Sequence, residues 1–271
     1  MILRSAPPYE FAALTDVGRV RPNNEDAVGV NEDIGVAILA DGMGGYNAGE
    51  VASAMAVDYV SAHMLRILKE LGPDYSPVEL RIALDMCING ANRNILEAAL
   101  ASPQQLGMGT TLVVGVFQHD RLILGHVGDS RCYRLRDGAL QQLTRDHSWL
   151  QEQLDAGLIT AKQALNSEYG NLVTRALGVG ASVQIEINEF PVEPQDLYIL
   201  CSDGLTDMID DADLAALAKA PAPLAEKAQR MIQLANAMGG RDNISVVLVQ
   251  AAGEKRKPHQ PGLMARLLRP H

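Results

Sequence analysis

A chain of 271 residues with 47% hydrophobic and 21% charged residues has the composition of an ordinary folded protein, which excludes an intrinsically disordered one. The formal net charge of -10 is uneven: segment 253–271 carries five basic residues and one glutamate, a net +4, which leaves -14 for the body. The acidic body of this chain lacks the clustered Lys and Arg residues that bind nucleic acid. Its surplus of carboxylates is typical of a protein that binds divalent cations. We therefore expect no nucleic-acid partner.

The sequence predicts a cytoplasmic protein without a membrane span. The chain has three cysteines, Cys87, Cys132 and Cys201, which are widely spaced and form no CxxC pair. An odd number of cysteines at such spacing indicates buried thiols in a reducing compartment. The first fourteen residues contain two prolines and a glutamate where a signal peptide would need an apolar segment. The longest apolar runs fall far short of the ~18 residues that cross a membrane.

The first half of the chain predicts two short strands followed by two long helices. Residues 27–30 and 36–40 are β-type segments. Residues 48–71 repeat apolar side chains near the 3.6-residue helical period. Residues 77–100 show a similar face, begin with a proline suited to a first helical turn, and follow Ser76, a capping residue.

The rest of the chain predicts further strands, separated by shorter helices. The strands are expected at 110–117, 122–126, 132–135, 183–187, 197–201 and 244–250, and the helices at 148–156, 211–218 and 223–237. Strands that are close in sequence around Arg121 and Asp137-Gly138 indicate hairpins, so we expect mainly antiparallel sheets. This pattern predicts an α+β fold in which a sheet sandwich is covered by helices.

The last segment of the chain differs from the body. We expect residues 1–252 to form one domain and residues 253–271 to form a basic, disordered tail. The alternative for the tail is one short basic amphipathic helix through Leu263, Met264, Leu267 and Leu268.

Aspartates recur beside tight-turn residues at the ends of predicted strands. They are Asp26 in RPNNEDA, Asp41 in LADGMGG, Asp203 in LCSDGL and Asp242 in GGRDNIS. A carboxylate at the end of a buried strand is held rigidly, and a following glycine would let the chain turn away so that a cation can approach. Singly, each is explained as well by a turn or a backbone cap. Four together, without a His or Cys cluster, predict a site for a hard cation such as Mg²⁺ or Mn²⁺.

A series of uncommon strings then resembles a known family. In order over residues 12–250, these strings are similar to the metal-dependent protein phosphatases of type 2C in their compact bacterial form. They are RPNNEDA, LADGMGG, GTT, GHVGDSR, LTRDHS, NLVTRALG, CSDGLTDM and GGRDNISVV. The resemblance implies a four-layer α-β-β-α sandwich of two antiparallel sheets flanked by helices. It also implies a two-metal centre at one edge that hydrolyses phosphoserine and phosphothreonine in proteins.

The resemblance implies the ligands of two Mn²⁺ or Mg²⁺ ions. They correspond to Asp26, Asp41 and the carbonyl of Gly42, with Asp41 bridging both ions, and to Asp203 and Asp242 on the far side of the first ion. In such a centre a water activated by the two cations attacks phosphorus in line, without a covalent enzyme intermediate.

The resemblance assigns roles to two further residues. Asp129 in GDSR corresponds to an aspartate that helps to bind a third, weaker ion, and the alternative is a simple turn between two strands. Arg21, five residues before Asp26, corresponds to the arginine that orients the phosphate, and Arg19 is the local alternative.

The sequence departs from many eukaryotic members at Met43, where they carry a histidine proposed as the general acid. Methionine cannot donate a proton, so a metal-bound water or His147 is the candidate, unless His147 instead stabilises its own loop. Segment 147–175 corresponds to the family's mobile flap. Asn243 is expected either to orient a ligand or to cap backbone.

The preferred interpretation is a monomeric phosphatase whose partners are phosphorylated proteins and a cognate serine/threonine kinase. One competing interpretation is a module of the same fold that binds phosphoproteins without turnover. Another is a two-metal nuclease or phosphodiesterase, which the lack of interleaved basic and aromatic residues disfavours.

Overall fold

The computed structural model describes residues 9–45, 48–72, 75–160, 163 and 172–253, which form eleven strands and six helices. The strands are β1 (Tyr9–Asp16), β2 (Asp26–Asn31), β3 (Val36–Met43), β4 (Gly109–Thr110), β5 (Leu112–Gln118), β6 (Arg121–Val127), β7 (Arg131–Arg136), β8 (Ala139–Gln142), β9 (Glu186–Pro191), β10 (Leu197–Cys201) and β11 (Ile244–Ala251). The helices are α1 (Ala48–Leu71), α2 (Pro77–Ala101), α3 (Trp149–Asp155), α4 (Asp203–Thr206), α5 (Asp211–Lys219) and α6 (Leu224–Ala237).

The strands form two sheets that pack face to face. One sheet has the order β1-β11-β10-β7-β8, and the other has the order β2-β3-β5-β6-β9, with β4 paired to β3. Every pairing between the described strands is antiparallel. Helices α1 and α2 cover the second sheet, and α5 and α6 cover the first. The predicted four-layer α-β-β-α sandwich is therefore confirmed.

Three apolar clusters hold the four layers together. Leu39, Val113 and Val247 belong to the cluster between the two sheets and are fully buried. The other two clusters lie between each sheet and its helices. Each fully buried side chain of this size contributes ~1.5–3 kcal/mol, so these clusters fix the positions of the strand ends.

Helix α1 shows how the apolar pattern of the sequence becomes a core. It is the one helix in the described part of the chain that is long and apolar enough to cross a membrane, with a mean hydropathy of 1.2. Ala52, Val60 and Met64 are fully buried, however, and α1 packs against β3 and α2. Core helices meet the same criteria of length and composition, and α1 is such a helix.

The predicted start of α2 is confirmed in detail. The Ser76 hydroxyl accepts a hydrogen bond from the Glu79 N–H (3.2 Å), and the Glu79 carboxylate accepts one from the Ser76 N–H (2.8 Å). This reciprocal capping box satisfies two otherwise unpaired donors, and Pro77 occupies the first turn.

The sequence prediction missed two strands, and it also missed the four-residue helix α4. Strands β1 and β8 were missed because β1 is a largely exposed edge strand and β8 is a four-residue strand that lies mostly in solvent. The strand expected at 183–187 was placed too early, since β9 covers Glu186–Pro191. The hairpin at Asp137-Gly138 was correct: both residues have positive φ (51° and 77°), as a two-residue hairpin turn requires.

Two predicted segments lie wholly or partly outside the described residues. The tail is described only at Gly253, so neither its predicted disorder nor the alternative helix is addressed. The flap is described at 147–160, 163 and 172–175. Its two ends are joined, since the Trp149 N–H donates to the Leu172 carbonyl (2.9 Å) and the Thr174 N–H to the His147 carbonyl (2.8 Å).

Candidate metal centre

The register of two strands places the first pair of predicted ligands side by side. Asp26 begins β2 and is the direct antiparallel partner of Asp41 near the end of β3. Directly opposed residues in such a pair have their Cβ atoms ~4.5–5.5 Å apart. The two carboxylates therefore share one edge of the sandwich.

Two threonines of the GTT string hold the backbone at Asp41. The Asp41 N–H donates to the Thr111 hydroxyl (3.0 Å), and the Thr110 hydroxyl donates to the Asp41 carbonyl (2.9 Å). The Thr111 hydroxyl also lies 2.8 Å from that of Ser130, next to Asp129. These bonds connect three segments of the chain behind the carboxylates.

The glycines after Asp41 and Asp203 are needed for a reason other than the one predicted. Neither Gly42 nor Gly204 has a positive φ. A Cβ on Gly42 would lie 2.1 Å from the Gly49 carbonyl oxygen, and a Cβ on Gly204 would lie 2.0 Å from the Asn243 carbonyl oxygen. Close packing of backbone against backbone, not a turn away from the cation, therefore requires glycine at both positions.

Asn243 organises the loops that carry the remaining predicted residues. Its amide nitrogen donates to the carbonyls of Val17 (3.0 Å) and Asn23 (2.9 Å), and its amide oxygen accepts from the Glu25 N–H (2.7 Å). The backbone-capping interpretation of Asn243 is therefore the one that the geometry supports. Through these bonds, the loop before β11 holds the loop before β2.

Burial and mutual repulsion raise the pKa values of the clustered aspartates. Burial is the main cause for Asp26, whose pKa rises to about 6 although its carboxylate accepts a hydrogen bond from the Ser202 hydroxyl (2.8 Å). The pKa of Asp41 rises well above its usual range through burial and then through Asp26 and Asp203. The pKa of Asp203 rises for the same reasons, with Asp129 as the strongest like charge.

Asp129 lies in the turn between β6 and β7, where it borders a second part of the cluster. Burial, followed by the nearby Asp146, raises its pKa to about 6. A cleft in this region is lined by Asp129, Arg131, Asp146, Ser148, Asp203, Thr206 and Asp207. Asp129 and Asp203 thus face one cleft, although they are far apart in sequence.

The cleft contains residues that the sequence did not single out. Arg131 binds Asp146 with two nitrogens, the shortest distance being 2.6 Å. Burial raises the pKa of Asp207. All three lie within strings quoted for the resemblance, GDSR, LTRDHS and CSDGLTDM, but none follows a local pattern that predicts a cation site.

The two candidate phosphate arginines occupy different positions. The Arg21 guanidinium lies 2.6 Å from an oxygen of Asp242, at the edge of the acidic cluster. Arg19 instead anchors its loop through its backbone, since its N–H donates to the Gly240 carbonyl (2.7 Å). Arg21 is therefore the arginine placed against the predicted metal ligands.

His147 holds the turn before Asp129. Its ring Nδ1 accepts a hydrogen bond from the Gly128 N–H (3.1 Å), and the backbone N–H of His147 donates to the Gly128 carbonyl (2.8 Å). The first bond places the proton of the neutral ring on Nε2, which lies 3.5 Å from Glu186. The geometry thus supports loop stabilisation by His147.

A second group of possible metal ligands lies near this turn. One possible ligand atom from each of His126, His147 and Glu186 lies within 4.8 Å of the other two. An ion bound to His147 Nε2 would need the ring proton on Nδ1, where the Gly128 N–H already donates. Burial, and then the neighbouring His147, lower the pKa of His126 to about 3. The two buried histidines are therefore neutral side chains that support the Asp129 turn, and this group is distinct from the carboxylate cluster.

The donor set of the carboxylate cluster fits hard divalent cations. One oxygen of Asp26 is buried and has no hydrogen-bond partner among the described residues. Of the five clustered aspartates, 26, 41, 129, 203 and 242, only Asp242 forms an ion pair within the described part of the chain. Buried carboxylates without counter-ions are costly, and oxygen-rich sites of this kind suit Mg²⁺ and Mn²⁺.

Comparison with known proteins gives consistent results. The family profile of protein phosphatase 2C matches residues 19–247. The serine/threonine phosphatase stp of Listeria innocua is 40% identical over 239 residues, which cover 87% of this chain and 93% of the relative.

Solved structures show the same fold. The crystal structure of the Mycobacterium tuberculosis serine/threonine phosphatase PstP/Ppp superimposes with a TM-score of 0.82 at 37% identity, covering 90% of this chain and 99% of the other. A structure of the PstP catalytic domain in complex with two manganese ions gives a TM-score of 0.79 at 38% identity, with the same coverage. The resemblance seen in the sequence is thereby confirmed, and the chain belongs to the protein phosphatase 2C family.

Proposed function

We propose that the acidic edge of the sandwich is the active site of a metal-dependent phosphatase that acts on phosphoserine and phosphothreonine in proteins. The ligands proposed for two Mn²⁺ or Mg²⁺ ions are Asp26, Asp41 and the carbonyl of Gly42, Asp203 and Asp242. That the chain is a metal-dependent serine/threonine protein phosphatase follows from its family and its relatives. The individual ligands are supported by one observation: carboxylates from separate strand ends converge there, and only Asp242 has a cationic partner within the described residues.

The chain's own residues prepare the site for a phosphate ester. Bound cations supply Lewis-acid charge, which lowers the pKa of water and stabilises the phosphoryl oxygens. Thr111 and Ser202 hold the backbone of Asp41 and the carboxylate of Asp26 through hydrogen bonds. Arg21 presents an exposed planar guanidinium beside them, and its fork of N–H donors orients the phosphate.

The departing hydroxyl oxygen also needs a proton. Met43 has none to give, and His147 Nε2 is buried 3.5 Å from Glu186, without a hydrogen-bond partner among the described residues. We therefore assign this proton to water at the site. Asp129 and Asp203 line one cleft, which supports the proposal that Asp129 helps to hold a third, weaker cation beside the first two.

We further propose a monomeric cytoplasmic enzyme that opposes a serine/threonine kinase. Residues 1–252 would form its catalytic domain and 253–271 a basic tail. The three cysteines are free and buried, which supports a reducing compartment. The acidic body outside the tail supports a protein rather than a nucleic-acid substrate.

The test is hydrolysis of a phosphothreonine peptide with Mn²⁺, with Mn²⁺ plus excess chelator, and by an Asp203→Ala variant. Asp58→Ala is the matched control, because Asp58 is exposed on α1, away from the cluster. We expect phosphate release that the chelator and Asp203→Ala abolish and that Asp58→Ala leaves intact. A wild-type protein that binds Mn²⁺ but releases no phosphate would favour the binding module instead.

A further inference from the structure

Two surface loops beside the proposed metal ligands pack against each other. The loop of residues 17–21 ends at Arg21, and the loop of residues 238–242 ends at Asp242. The Arg19 N–H donates to the Gly240 carbonyl (2.7 Å). Gly18 is packed so closely that a Cβ on it would lie 2.2 Å from the Asp242 carbonyl oxygen. The two loops therefore hold each other in place beside the ion pair of Arg21 and Asp242.

This surface, defined by Arg19, Val20, Met238 and Arg241, is both apolar and basic. Val20 is 66% exposed and Met238 is 60% exposed. The side chains of Arg19 and Arg241 are exposed, and within the described residues no carboxylate lies at ion-pair distance from either. The positive charge of Arg241 partly offsets the raised pKa of Asp207.

The exposure of these side chains does not by itself indicate a binding site, because single exposed apolar residues are common on protein surfaces. Val78 and Met86 on α2 are exposed to the same extent, 64% and 61%. What distinguishes the surface is its position. It continues directly from the arginine proposed to orient the phosphate, and it offers unpaired positive charge on a body whose net charge is -14.

We propose that this surface binds the polypeptide segment that flanks the phosphorylated residue of a protein substrate, and that it favours apolar and acidic flanking residues. This proposal rests on the proposed phosphatase function. Consecutive residues of an extended peptide advance by ~3.3–3.6 Å, so a peptide whose phosphate meets Arg21 and that runs along this loop brings its flanking residues to the surface. Val20 and Met238 then contact apolar side chains, and Arg19 and Arg241 contact carboxylates.

The experiment measures selectivity against a substrate that has no flanking peptide. One phosphothreonine peptide carries Leu and Glu beside the phosphorylated residue, a second carries Ser and Lys there, and p-nitrophenyl phosphate is the reference. The selectivity ratio is kcat/KM for the Leu/Glu peptide divided by kcat/KM for p-nitrophenyl phosphate. The enzyme is the full chain, assayed with Mn²⁺.

The expected result is a preference of wild type for the Leu/Glu peptide that depends on the surface. The double variant Arg19→Glu/Arg241→Glu should lower the selectivity ratio about tenfold, and added salt should shrink the wild-type preference. Val20→Ser/Met238→Ser should lower the ratio about fivefold. The matched controls Val78→Ser/Met86→Ser and Arg93→Glu, all on the exposed face of α2, should leave the ratio at its wild-type value.

Several outcomes would overturn the proposal. Equal wild-type hydrolysis of both peptides, or an unchanged ratio in both surface variants, would show that flanking residues are not bound there. A change of oligomeric state in the surface variants, with unchanged selectivity, would assign the surface to a second copy of the chain. If wild type hydrolyses neither peptide nor p-nitrophenyl phosphate, the phosphatase function itself fails, and this inference fails with it.

Discussion

Asp196 and Asp26 are both buried aspartates, and the protein satisfies them in opposite ways. Asp196 is completely buried. Each of its oxygens accepts a hydrogen bond from the Arg136 guanidinium (2.8 and 2.6 Å), and Oδ2 also accepts one from the Glu193 N–H (2.8 Å). Asp26 is 8% exposed, and one of its oxygens has no partner among the described residues. The negative charge of Asp242 adds to the effect of burial in raising the pKa of Asp26.

The contrast separates a structural charge, that of Asp196, from one that we propose to be functional, that of Asp26. A buried carboxylate that is paired inside the chain needs nothing from outside, whereas a cluster of unpaired carboxylates is stable only when protonated or when it binds cations. Breaking the first kind should therefore cost stability. Breaking the second kind should cost activity and relieve repulsion.

The largest expected effect follows from Asp41→Asn. We expect kcat for a phosphothreonine peptide to fall about a thousandfold, because the residue between the two proposed ions loses its charge. Without metal, the variant should be more stable than wild type, since Asp41 is repelled by Asp26 and Asp203. Steady-state kinetics with Mn²⁺ and denaturant unfolding in chelator check both parts, and activity within tenfold of wild type would contradict the first.

Asp196→Ala should show the reverse pattern. It leaves the largely buried Arg136 guanidinium without its bidentate partner, so we expect the free energy of unfolding to fall by about 3 kcal/mol. The activity of the folded fraction and its Mn²⁺ affinity should match wild type. Denaturant unfolding and a Mn²⁺ titration measure these quantities, and a loss of Mn²⁺ affinity equal to that of Asp41→Asn would remove the distinction between the two kinds of aspartate.

The pH dependence of the metal-free protein sharpens the comparison. The folded pKa of Asp26, about 6, lies above the ~3.9 of an unfolded aspartate, so the folded state binds more protons between these values. Its contribution to stability is therefore complete below about pH 4 and is lost as pH rises through about 6. Across that window the free energy of unfolding should fall by up to about 3 kcal/mol.

The buried histidines change the free energy of unfolding with pH in the opposite direction to Asp26, because burial lowers the pKa values of His126 and His147. Both histidines are present in wild type and in Asp26→Asn, so their contribution cancels when the free energies of unfolding of the two proteins are subtracted. In chelator at about pH 7.5 the variant should be the more stable protein, and by about pH 4 the two should converge. Saturating Mn²⁺ at the higher pH should make wild type the more stable one. A difference that does not change with pH would mean that Asp26 is not desolvated as described.

Arg21→Ala should have the smallest of these effects. Loss of a charged hydrogen-bond donor to the phosphate should lower kcat/KM about thirtyfold, with Mn²⁺ affinity retained. Arg21→Lys should recover only part of the loss, because an ammonium lacks the guanidinium fork. Steady-state kinetics with p-nitrophenyl phosphate test this, and Arg93→Ala serves as the control. A larger loss in Arg19→Ala than in Arg21→Ala would reassign the phosphate site.

The sequence predicted the helices better than the strands, for physical reasons. Helices such as α1 depend on local periodicity and capping, which the sequence displays directly. Strand β1 depends on pairing with β11, more than 200 residues away, and shows only one buried residue, Tyr9. No local sequence pattern predicts a partner strand that lies so far along the chain.

The same limit applies to the site. The strand-end aspartates were predicted because they lie next to predicted strands and, for Asp41, Asp203 and Asp242, beside residues typical of turns. Sheet register then pairs Asp26 with Asp41. Asp146 and Asp207 line the adjoining cleft only because distant segments fold together there. The pairing of Asp196 with Arg136, 60 residues apart, was likewise beyond local patterns.

The most direct test of the unpaired cluster as a catalytic metal centre is a titration of Mn²⁺ into metal-free protein, followed by calorimetry and by phosphothreonine-peptide hydrolysis in the same samples. We predict that wild type binds two or more ions and that hydrolysis rises with their occupancy, whereas Asp41→Asn shows weakened binding and loses hydrolysis. Hydrolysis by wild type that persists when every divalent cation is chelated, or full binding and activity in Asp41→Asn, would contradict the assignment.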